Sequence, residues 1–537
     1  MKRILVADKI AEAGLERMRE TDGVTFDVRQ GLSPEELAGI VGDYDGMLIR
    51  SAVKITAEVL ANPGKLLAIA RAGVGVDNID LNAATAAGVL VLNTPDANTI
   101  STAEHTLALM LALHRRIPDA HRHVRDGKWQ RSEFKGGQLS GRTLGIVGFG
   151  RIGRAVAARA LAFEMTVVAF DPFVAGETAL DGAVKMARDL NDLLAQSDCV
   201  TLHTTLSDET RHLIGADSIA VMKPGAKLVN CARGALVDET ALADALDRGH
   251  LSGAAIDVYE HEPPTDSPLL SAKNVVLTPH LAASTEEAQT QVAIDAVDAL
   301  LAYVLTGDIR SAVNVTGLPK SLSPRAKAYI DLATRLGTVL STWCPEGVDR
   351  IVVKTYGDSL HDIGRTLAWQ AMAAVVGPRL SGRLNLVNAR EQAEKRGIEV
   401  DHIAHSLRPG HVESIIVSVE SHGKSHKAEG AVFADNRPRM LAINGYRMEI
   451  VPERSIVLIF NDDKPGVIGL VGQRFGDAGI NIADMALSSR GNTALMLLKL
   501  DQPMPDEMRA TLRAASEHIL SVHSVTLAPV PKPRIDA

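Results

Sequence analysis

Short apolar runs alternate with amphipathic stretches along the first part of the chain, and this alternation predicts a βαβ series. Strands are predicted at residues 3–7, 47–49, 67–71 and 89–92, followed by one long helix at 98–116. A second series is predicted from strands at 143–148, 167–171, 199–203, 226–230, 253–258 and 275–278 and a closing helix at 284–305. We therefore expect two parallel-sheet units in tandem, with a ligand-binding cleft between them.

The pattern changes beyond residue 312. Residues 313–452 predict a helix at 325–341, a strand at 351–355, another helix and then several strands that look antiparallel, without a recognisable chemical motif. The last segment shows the order β-α-β-β-α-β, with elements at 455–460, 467–476, 480–489, 493–500, 506–515 and 520–528. That order is typical of the ferredoxin-like fold.

Composition narrows the class of protein. A chain of 537 residues is too long for one hydrophobic core, and its net charge of −8 gives no support for nucleic-acid binding. The N-terminal residues lack a signal-peptide pattern, and no apolar run is long enough to cross a membrane. Cys199, Cys231 and Cys344 are too far apart for metal-ligand spacing, so we expect reduced thiols, no metal and a cytoplasmic location.

A glycine-rich turn points to a dinucleotide. Gly148, Gly150 and Gly153 form Gly-x-Gly-x-x-Gly between a predicted strand and a predicted helix. Such glycines allow a tight turn, close approach of the backbone to a pyrophosphate, and close packing of the helix on the strand. Asp171 ends the next strand, where a carboxylate accepts hydrogen bonds from ribose hydroxyls and repels a 2′-phosphate. The pattern predicts NAD rather than NADP.

A second glycine-rich turn, at residues 72–78, is not a dinucleotide fingerprint, because Asn78 occupies the position of the third glycine. It either lets the backbone at Val74 and Gly75 approach a small ligand or is a plain tight turn.

Three chemically suitable residues lie at or just after the ends of successive predicted strands: Arg233, Glu262 and His280. Ligands of open α/β sheets bind at the carboxyl ends of the strands. A guanidinium can hold the carboxylate of a 2-hydroxy acid, an imidazole can take the hydroxyl proton, and a carboxylate can fix the imidazole tautomer. The three residues predict oxidation of a small 2-hydroxy acid.

These motifs, in this order and spacing, resemble the D-isomer-specific 2-hydroxyacid dehydrogenases over residues 1–312. The resemblance assigns catalysis to Arg233, Glu262 and His280. Ala282, beside His280, departs from a glycine that is frequent in the family. The cofactor contacts that the resemblance implies are Gly148, Gly150, Arg151, Ile152, Gly153, Asp171, Thr204, Cys231, Ala232, Asp257 and Ala283.

The resemblance also implies the architecture: a Rossmann-type NAD-binding domain inserted in a flavodoxin-like α/β substrate domain, then an α+β intervening domain and a ferredoxin-like ACT domain. The implied substrate domain comprises residues 1–98 plus 284–312, and the NAD-binding domain comprises 99–283. The intervening regulatory domain comprises 313–452, and the ACT domain comprises 453–537.

Long members of this family oxidise 3-phosphoglycerate for L-serine biosynthesis, so we expect that substrate here, with a side activity on 2-oxoglutarate. Arg50, Arg71 and Arg131 are the expected phosphate ligands, Arg131 from across a dimer interface, with Val74 and Gly75 beside the substrate. Two alternatives remain open: another enzyme of the family, such as a glyoxylate or 2-ketoacid reductase, and a non-enzymatic NAD-sensing corepressor.

The C-terminal segment resembles an ACT domain, an amino-acid-sensing module. The resemblance implies that Asp463 and Asn481 hold L-serine as an effector at a domain–domain interface, in a dimer or tetramer. Asn461 departs from the aromatic or His residue seen in relatives. The alternative is a dimerisation module without a ligand. In the intervening region, Arg437, Arg439 and Arg447 are expected to form either an anion site or a solvated basic face.

Overall fold

A computed structural model describes residues 1–176, 178–315, 317–318, 322–380, 382–407 and 411–530. Its strands form four sheets of five, eight, six and four strands. The first two sheets are predominantly parallel, and the last two are predominantly antiparallel. The predicted fold class is confirmed.

The first sheet has the strand order β2-β1-β3-β4-β5, which is the flavodoxin-like order. Its strands are β1 (Lys2–Val6), β2 (Val24–Val28), β3 (Gly46–Ile49), β4 (Ala68–Arg71) and β5 (Leu90–Leu92). The helices of this part are α1 (Glu12–Arg19), α2 (Pro34–Ile40) and α3 (Leu81–Ala86).

The second sheet has the order β13-β12-β11-β10-β6-β7-β9-β8. Its strands are β6 (Thr143–Val147), β7 (Thr166–Phe170), β8 (Thr178–Ala179), β9 (Val184–Met186), β10 (Cys199–Leu202), β11 (Lys227–Asn230), β12 (Gly253–Ile256) and β13 (Val275–Leu277). Its helices are α4 (Thr99–Arg115), α5 (Ile117–Arg125), α6 (Arg151–Ala162), α7 (Leu190–Gln196), α8 (Ala216–Val221) and α9 (Glu239–Asp247). The order of the strands reverses beside β6, and in such sheets nucleotides bind in the crevice at the point of reversal.

Helix α10 (Glu286–Thr306) returns the chain to the first sheet. Its Ala, Val and Leu side chains are buried in the same core cluster as Ile4, Leu48 and Leu90. Helix α1 packs so closely on α10 that a Cβ on Gly14 would lie 3.0 Å from the Ala293 Cβ. Residues 286–306 are therefore structurally part of the first unit.

The third sheet has the order β15-β14-β16-β17-β18-β19. Its strands are β14 (Arg350–Tyr356), β15 (Glu399–His405), β16 (Ser414–Ser421), β17 (Lys424–Val432), β18 (Pro438–Ile443) and β19 (Tyr446–Ile450), with helices α11 (Pro324–Leu340), α12 (Gly364–Val376) and α13 (Ala389–Arg396). After the strand at 351–355 the sequence predicts another helix and then antiparallel-looking strands, but β15 is parallel to β14. Helix α12 separates these two strands and serves as the crossover connection that a parallel pair requires.

The fourth sheet has the ferredoxin-like order β21-β22-β20-β23. Its elements are β20 (Arg454–Asp462), α14 (Val467–Asp477), β21 (Ile482–Arg490), β22 (Thr493–Leu500), α15 (Asp506–Ala515) and β23 (Ile519–Leu527). One face of the sheet packs on α14 and α15. The other face shares a continuous core with α11 and the third sheet. Short 3-10 helices lie at Val41–Asp43, Arg131–Phe134, Gly234–Leu236, Pro268–Leu270, Ser341–Trp343, Asp358–Leu360 and Gly377–Arg379.

Residues 383–388, which we name the docking segment, attach the third unit to the first. Arg383 donates from Nη2 to the Gly64 carbonyl at 2.8 Å and from Nη1 to the Leu66 carbonyl. Asn385 Nδ2 donates to the Gly88 carbonyl at 2.8 Å. Val387 is buried within the core cluster of the first sheet. These contacts lie at the amino ends of β4 and β5, opposite the candidate site.

Candidate active site

A cavity of about 600 Å³ lies between the first and second units, at the carboxyl ends of their strands. The candidate residues among its lining are Arg50, Arg71, Val74, Gly75, Ala283, and the predicted catalytic residues Arg233, Glu262 and His280. The three residues that the sequence singles out for catalysis thus converge on one cleft.

His280 and Glu262 form a close pair at the cavity wall. Nδ1 of His280 lies 2.9 Å from Oε2 and 3.1 Å from Oε1 of Glu262, and no described residue is hydrogen-bonded to Nε2. Burial raises the pKa of Glu262, but the hydrogen bond and charge of His280 and the backbone N–H of Tyr259 outweigh it, so that this pKa lies below its usual value. The pair thus has an ionised carboxylate that orients the imidazole, with Nε2 left for a substrate.

The backbone at His280 is left-handed, with a φ of 55°. Its N–H donates to the Asp257 carbonyl at 2.8 Å. A non-glycine residue in this region of φ costs energy and persists where the surroundings hold it, which is common at functional sites.

Arg233 follows β11 and contacts the opposite unit. Its Nε donates to Asp77 Oδ2 at 3.0 Å and its Nη1 to the Ala232 carbonyl at 2.7 Å. The Nη2 lies over Gly75, where a Cβ would overlap it. The absence of a side chain at Gly75 therefore allows the close approach of the Arg233 guanidinium to the second glycine-rich turn.

Arg71 ends β4 and is mostly buried beside Arg233. Its Nε is buried without a hydrogen-bond partner. Burial, and secondarily the charge of Arg233, lower the pKa of Arg71 to about 10, so it remains a cation at neutral pH. A buried guanidinium with an unsatisfied N–H next to another guanidinium is the environment that an anionic ligand would complete. A Cβ on Gly73 would collide with the Arg71 guanidinium, which explains that glycine.

The other predicted substrate residues are placed differently from one another. Arg50 lines the cavity and donates from Nη1 to the Lys9 carbonyl at 3.4 Å. The carbonyl of Val74 accepts from Asn93 Nδ2 at 2.6 Å. Arg131 is exposed in the 3-10 helix Arg131–Phe134 and is not among the residues that line the cavity of its own chain. Its predicted reach across a dimer interface stays a prediction.

The glycine fingerprint has the geometry that a dinucleotide needs. Gly148 has a φ of 91°, and a Cβ there would lie 2.6 Å from the His203 carbonyl carbon. A Cβ on Gly153 would overlap the Gly148 carbonyl, whereas a Cβ on Gly150 would meet open space. Gly150 is the N-cap of α6 and no side chain caps this helix, so its first N–H groups are available to an anion. The site fits NAD.

Asp171 follows β7 beside this turn. Its Oδ2 accepts from the Phe149 N–H at 2.8 Å and its Oδ1 from the Phe173 N–H at 2.9 Å. These bonds hold the carboxylate at the fingerprint, with acceptor capacity remaining for ribose hydroxyls.

The remaining cofactor candidates surround the same crevice. Arg151 pairs with Asp96, and Ile152 packs against the core of the second sheet. Thr204 follows β10, and the Thr204 N–H would lie 2.8 Å from a Cβ on Gly148. Ala232 and Cys231 follow β11.

Two of these candidates have side chains withdrawn from solvent. Burial raises the pKa of the Cys231 thiol to about 12, so it is not a nucleophile at neutral pH. Asp257 is fully buried, and both of its carboxylate oxygens are bonded to the protein. The cofactor contacts of all these residues stay predictions.

Sequence reasoning missed Asp77, which pairs with Arg233 from a position 156 residues away in the chain. It also missed Ser101 and His105 of α4, which contact the loop that carries His280. Asp77 lies within the glycine-rich turn at residues 72–78, two positions after Gly75, and that proximity was the available signal. A helical Ser-x-x-x-His spacing alone carries no such signal.

Asp463 and Asn481 are exposed at opposite ends of the fourth sheet. Asp463 N–H donates to the Asn492 carbonyl, whereas Asn481 Nδ2 donates to Asp501 Oδ2 at 2.6 Å. These points are separated by the length of β22, roughly 25 Å at the rise of a strand. One copy of the chain therefore does not bring the two residues together.

Two of the arginines predicted for the intervening region, Arg437 and Arg439, lie near carboxylates. Arg439 lies 3.3 Å from Asp435 and 3.9 Å from Glu449. Arg437 lies 4.0 Å from Glu453 and has a buried Nε without a partner. Across the described ranges of the chain, the structure contains no cluster of three or more potential metal ligands and no helix long and apolar enough to span a membrane.

Three family models match the chain. Residues 107–282 match the NAD binding domain of D-isomer specific 2-hydroxyacid dehydrogenases, residues 325–444 match the D-3-phosphoglycerate dehydrogenase intervening domain, and residues 455–517 match the ACT domain.

Two relatives match this chain over nearly its whole length. A D-3-phosphoglycerate dehydrogenase of Methanocaldococcus jannaschii is 40% identical over 511 residues, which cover 95% of this chain and 97% of the relative. A D-3-phosphoglycerate dehydrogenase of Bacillus subtilis is 37% identical over 530 residues, which cover 98% of this chain and all of the relative, 100%.

Solved structures match the first two units. The TT0316 protein from Thermus thermophilus is 40% identical with a TM-score of 0.53, covering 58% of this chain and 99% of that one. A D-lactate dehydrogenase from Aquifex aeolicus, complexed with NAD and lactic acid, is 30% identical with a TM-score of 0.51, covering 57% of this chain and 96% of that one.

Proposed function

Because this chain belongs to the D-isomer-specific 2-hydroxyacid dehydrogenase family, within its D-3-phosphoglycerate dehydrogenase branch, we propose that it oxidises 3-phospho-D-glycerate to 3-phosphohydroxypyruvate with NAD. In the proposed role in L-serine biosynthesis, this reaction supplies the carbon skeleton of serine. When bound, NAD would supply the nicotinamide ring that accepts the hydride from C2 of the substrate.

Arg233 holds the substrate carboxylate and the C2 oxygen through its Nη2, since its Nε and Nη1 are bonded to Asp77 and to the Ala232 carbonyl. His280 accepts the hydroxyl proton at Nε2 as the C2–H bond breaks. Glu262 fixes the tautomer through Nδ1 and stabilises the imidazolium that forms. Arg71 and Arg50 bind the phosphate, with Arg131 of a second copy added across a dimer interface.

The single observation that carries the proposal is the convergence of the His280–Glu262 pair and two adjacent guanidiniums on one cavity. A 2-hydroxy acid whose carboxylate is its single anionic group, such as lactate, requires one cation for that carboxylate. A second buried cation with an unsatisfied Nε favours a substrate with a second anionic group.

The decisive experiment is an NADH absorbance assay on purified full-length protein in both directions. We expect the highest kcat/KM with 3-phosphoglycerate and with phosphohydroxypyruvate. A higher kcat/KM with glyoxylate would make the protein a reductase of the same family, and no turnover of any 2-hydroxy or 2-keto acid would favour the NAD-sensing corepressor. Including 2-oxoglutarate in the same series tests the predicted side activity.

L-serine is the proposed effector, bound at the ACT domain between two copies of the chain. The separation of Asp463 and Asn481 within one copy supports this, because two sheets paired about a twofold axis bring opposite ends together. Serine inhibits only if it binds one global state better than another.

A titration of initial rate against serine, paired with sedimentation of the same samples, tests the effector. We expect inhibition in oligomeric wild-type protein and its loss in both Asp463→Ala and Asn481→Ala. Activity that stays flat up to millimolar serine would leave the ACT domain as a dimerisation module. We further propose that the enzyme is a dimer or a tetramer. We also propose that it is cytoplasmic, and the three free, buried cysteines support this location.

A further inference from the structure

The loop that carries His280 is fastened to one buried carboxylate. Asp257 Oδ1 accepts from Thr278 Oγ1 at 2.6 Å and from the Leu281 N–H at 2.7 Å, and Oδ2 accepts from the Ala282 N–H at 2.9 Å. The carbonyl of Asp257 accepts the N–H of His280 itself at 2.8 Å. The position of the imidazole therefore depends on where Asp257 is held.

Helix α4 contacts this arrangement from the side. His105 Nε2 lies 3.2 Å from Asp257 Oδ1 and 3.4 Å from Thr278 Oγ1. One helical turn earlier, Ser101 Oγ donates to the Ala282 carbonyl at 2.5 Å. Residues four apart lie on the same face of a helix, so Ser101 and His105 hold the two sides of the loop together.

The other donors to Asp257 come from the loop itself. Thr278, Leu281 and Ala282 bond the loop to Asp257, which follows β12 and whose own N–H donates to the Asn230 carbonyl at 3.0 Å. His105 belongs to a helix that packs on α6 and on the strands β11, β12 and β13. It therefore adds a contact from the helical layer of the second unit to the side chain that holds the loop.

We infer that His105 is a positioning residue of this dehydrogenase, which anchors Asp257 and thereby holds the left-handed His280 backbone where its imidazole can meet both Glu262 and the substrate. His105 is not among the residues that line the cavity, so it does not touch the substrate. The inference rests on the proposed function for its kinetic consequence but not for its structural one.

The energetics agree with this role. Burial raises the pKa of Asp257, but the bonds from His105, Thr278 and the two backbone N–H groups outweigh it, and the pKa lies below its usual value. The carboxylate is therefore charged and fully buried, and each missing donor is costly. The left-handed backbone at His280 adds strain that relaxes when the anchor is lost.

The test compares His105→Leu, which removes the donor, with His105→Gln, whose amide Nε2 can replace it. His114 supplies the matched control, because it is buried on the same helix and bonds the Met110 carbonyl of that helix at 2.9 Å. We expect kcat of His105→Leu to fall by about tenfold or more, because a displacement of about 1 Å can cost about a hundredfold in rate. KM for 3-phosphoglycerate should not change, because the arginines do not contact His105. His105→Gln should recover most of kcat, and His114→Leu should keep it.

Hydrogen exchange measured by mass spectrometry gives a readout that needs no substrate. We expect the peptide containing residues 278–283 to exchange faster in His105→Leu than in wild type, His105→Gln or His114→Leu, because the Leu281 and Ala282 N–H groups lose protection. Unchanged exchange of this peptide would overturn the inference, whatever the wild-type substrate is. Faster exchange together with an inactive wild type would instead contradict the proposed function alone. An equal loss of kcat in His105→Leu and His114→Leu would reduce His105 to a general packing role.

Discussion

In the proposed substrate site, Arg71 is the residue whose charge we expect to select the substrate most directly. Its buried, unpartnered Nε and the neighbouring Arg233 create a site that an anion completes. We expect Arg71→Ala to raise KM for 3-phosphoglycerate by about ten- to a hundredfold, the value of roughly 1.5–3 kcal/mol for a charged hydrogen bond. Arg71→Lys should not restore KM, because an ammonium lacks the guanidinium fork.

The control for Arg71 is Arg17→Ala, since Arg17 forms an exposed ion pair with Asp298 far from the cavity. Initial rates over a range of 3-phosphoglycerate concentrations give both constants. An unchanged KM in Arg71→Ala would remove Arg71 from the substrate site.

Single residues also show what the sequence could and could not predict about the site. Arg233, Glu262 and His280 are predictable because each lies at or just after a strand end in one sheet, and parallel strands end at a common edge. Asp77 and His105 are not, because each acts on a residue more than 150 positions away, at separations of 156 and 152. The Asp77 pairing depends on how the first two units pack on each other, and the His105 pairing depends on how α4 packs on the second sheet, and no local sequence pattern encodes either.

Two glycines at the start of α6 have different roles: Gly153 allows close packing of the protein, and Gly150 leaves room for the cofactor. A Cβ on Gly153 would overlap the Gly148 carbonyl, whereas a Cβ on Gly150 would meet nothing within 4 Å. We expect Gly153→Ala to destabilise the apo-protein by about 1–3 kcal/mol through overpacking. Gly150→Ala should leave apo-stability nearly unchanged yet weaken NADH binding, because the methyl group occupies the path of the pyrophosphate.

Thermal unfolding of the apo-proteins and NADH titration by fluorescence measure the two effects separately. Loss of apo-stability in Gly150→Ala, or full stability in Gly153→Ala, would contradict this division of roles.

At the scale of elements, strongly periodic segments are predicted well and half-exposed ones are not. The closing helix, predicted at 284–305, is observed as Glu286–Thr306. The edge strand Val24–Val28 was missed because only part of its surface is covered, so no apolar run marks it. The long helix predicted at 98–116 ends at Arg115, where Arg116 adopts a φ of 51° and a separate helix follows.

At the scale of the whole molecule, an aromatic cluster joins the third and fourth sheets. Trp343 stacks on His426 of β17 with ring centroids 5.7 Å apart and lies 4.5 Å from His523 of β23. Burial is the main cause that lowers the pKa of both histidines; the charge of Lys424 adds to it at His426, and the charges of Arg509 and His426 add to it at His523. The Thr342 carbonyl opposes the shift at His523.

The sign of the pH effect follows from linkage. The unfolded chain takes up these protons near the ordinary value of 6.5, before the folded chain does. Stability is therefore complete above that pH and is lost as pH falls below it, by at most about 1.4 kcal/mol per pH unit for each histidine and less for a partly exposed one. We expect the fall in unfolding temperature between pH 7.5 and pH 5.5 to be smaller in His523→Gln than in wild type.

The exposed His121 provides the control, and His121→Gln should show the wild-type pH dependence. An identical pH dependence in His523→Gln and wild type would place the titrating groups elsewhere.

The docking segment has a consequence for modularity. Val387 fills a space in the interior of the catalytic half, and Arg383 and Asn385 satisfy backbone carbonyls there. A chain cut after residue 312 would expose to water the apolar surface that Val387 covers, and three backbone carbonyls would exchange their protein donors for water. The third and fourth units therefore cannot be grafted by themselves onto a shorter homologue. A functional chimera would have to include both the docking segment and the residues of the first unit that contact it.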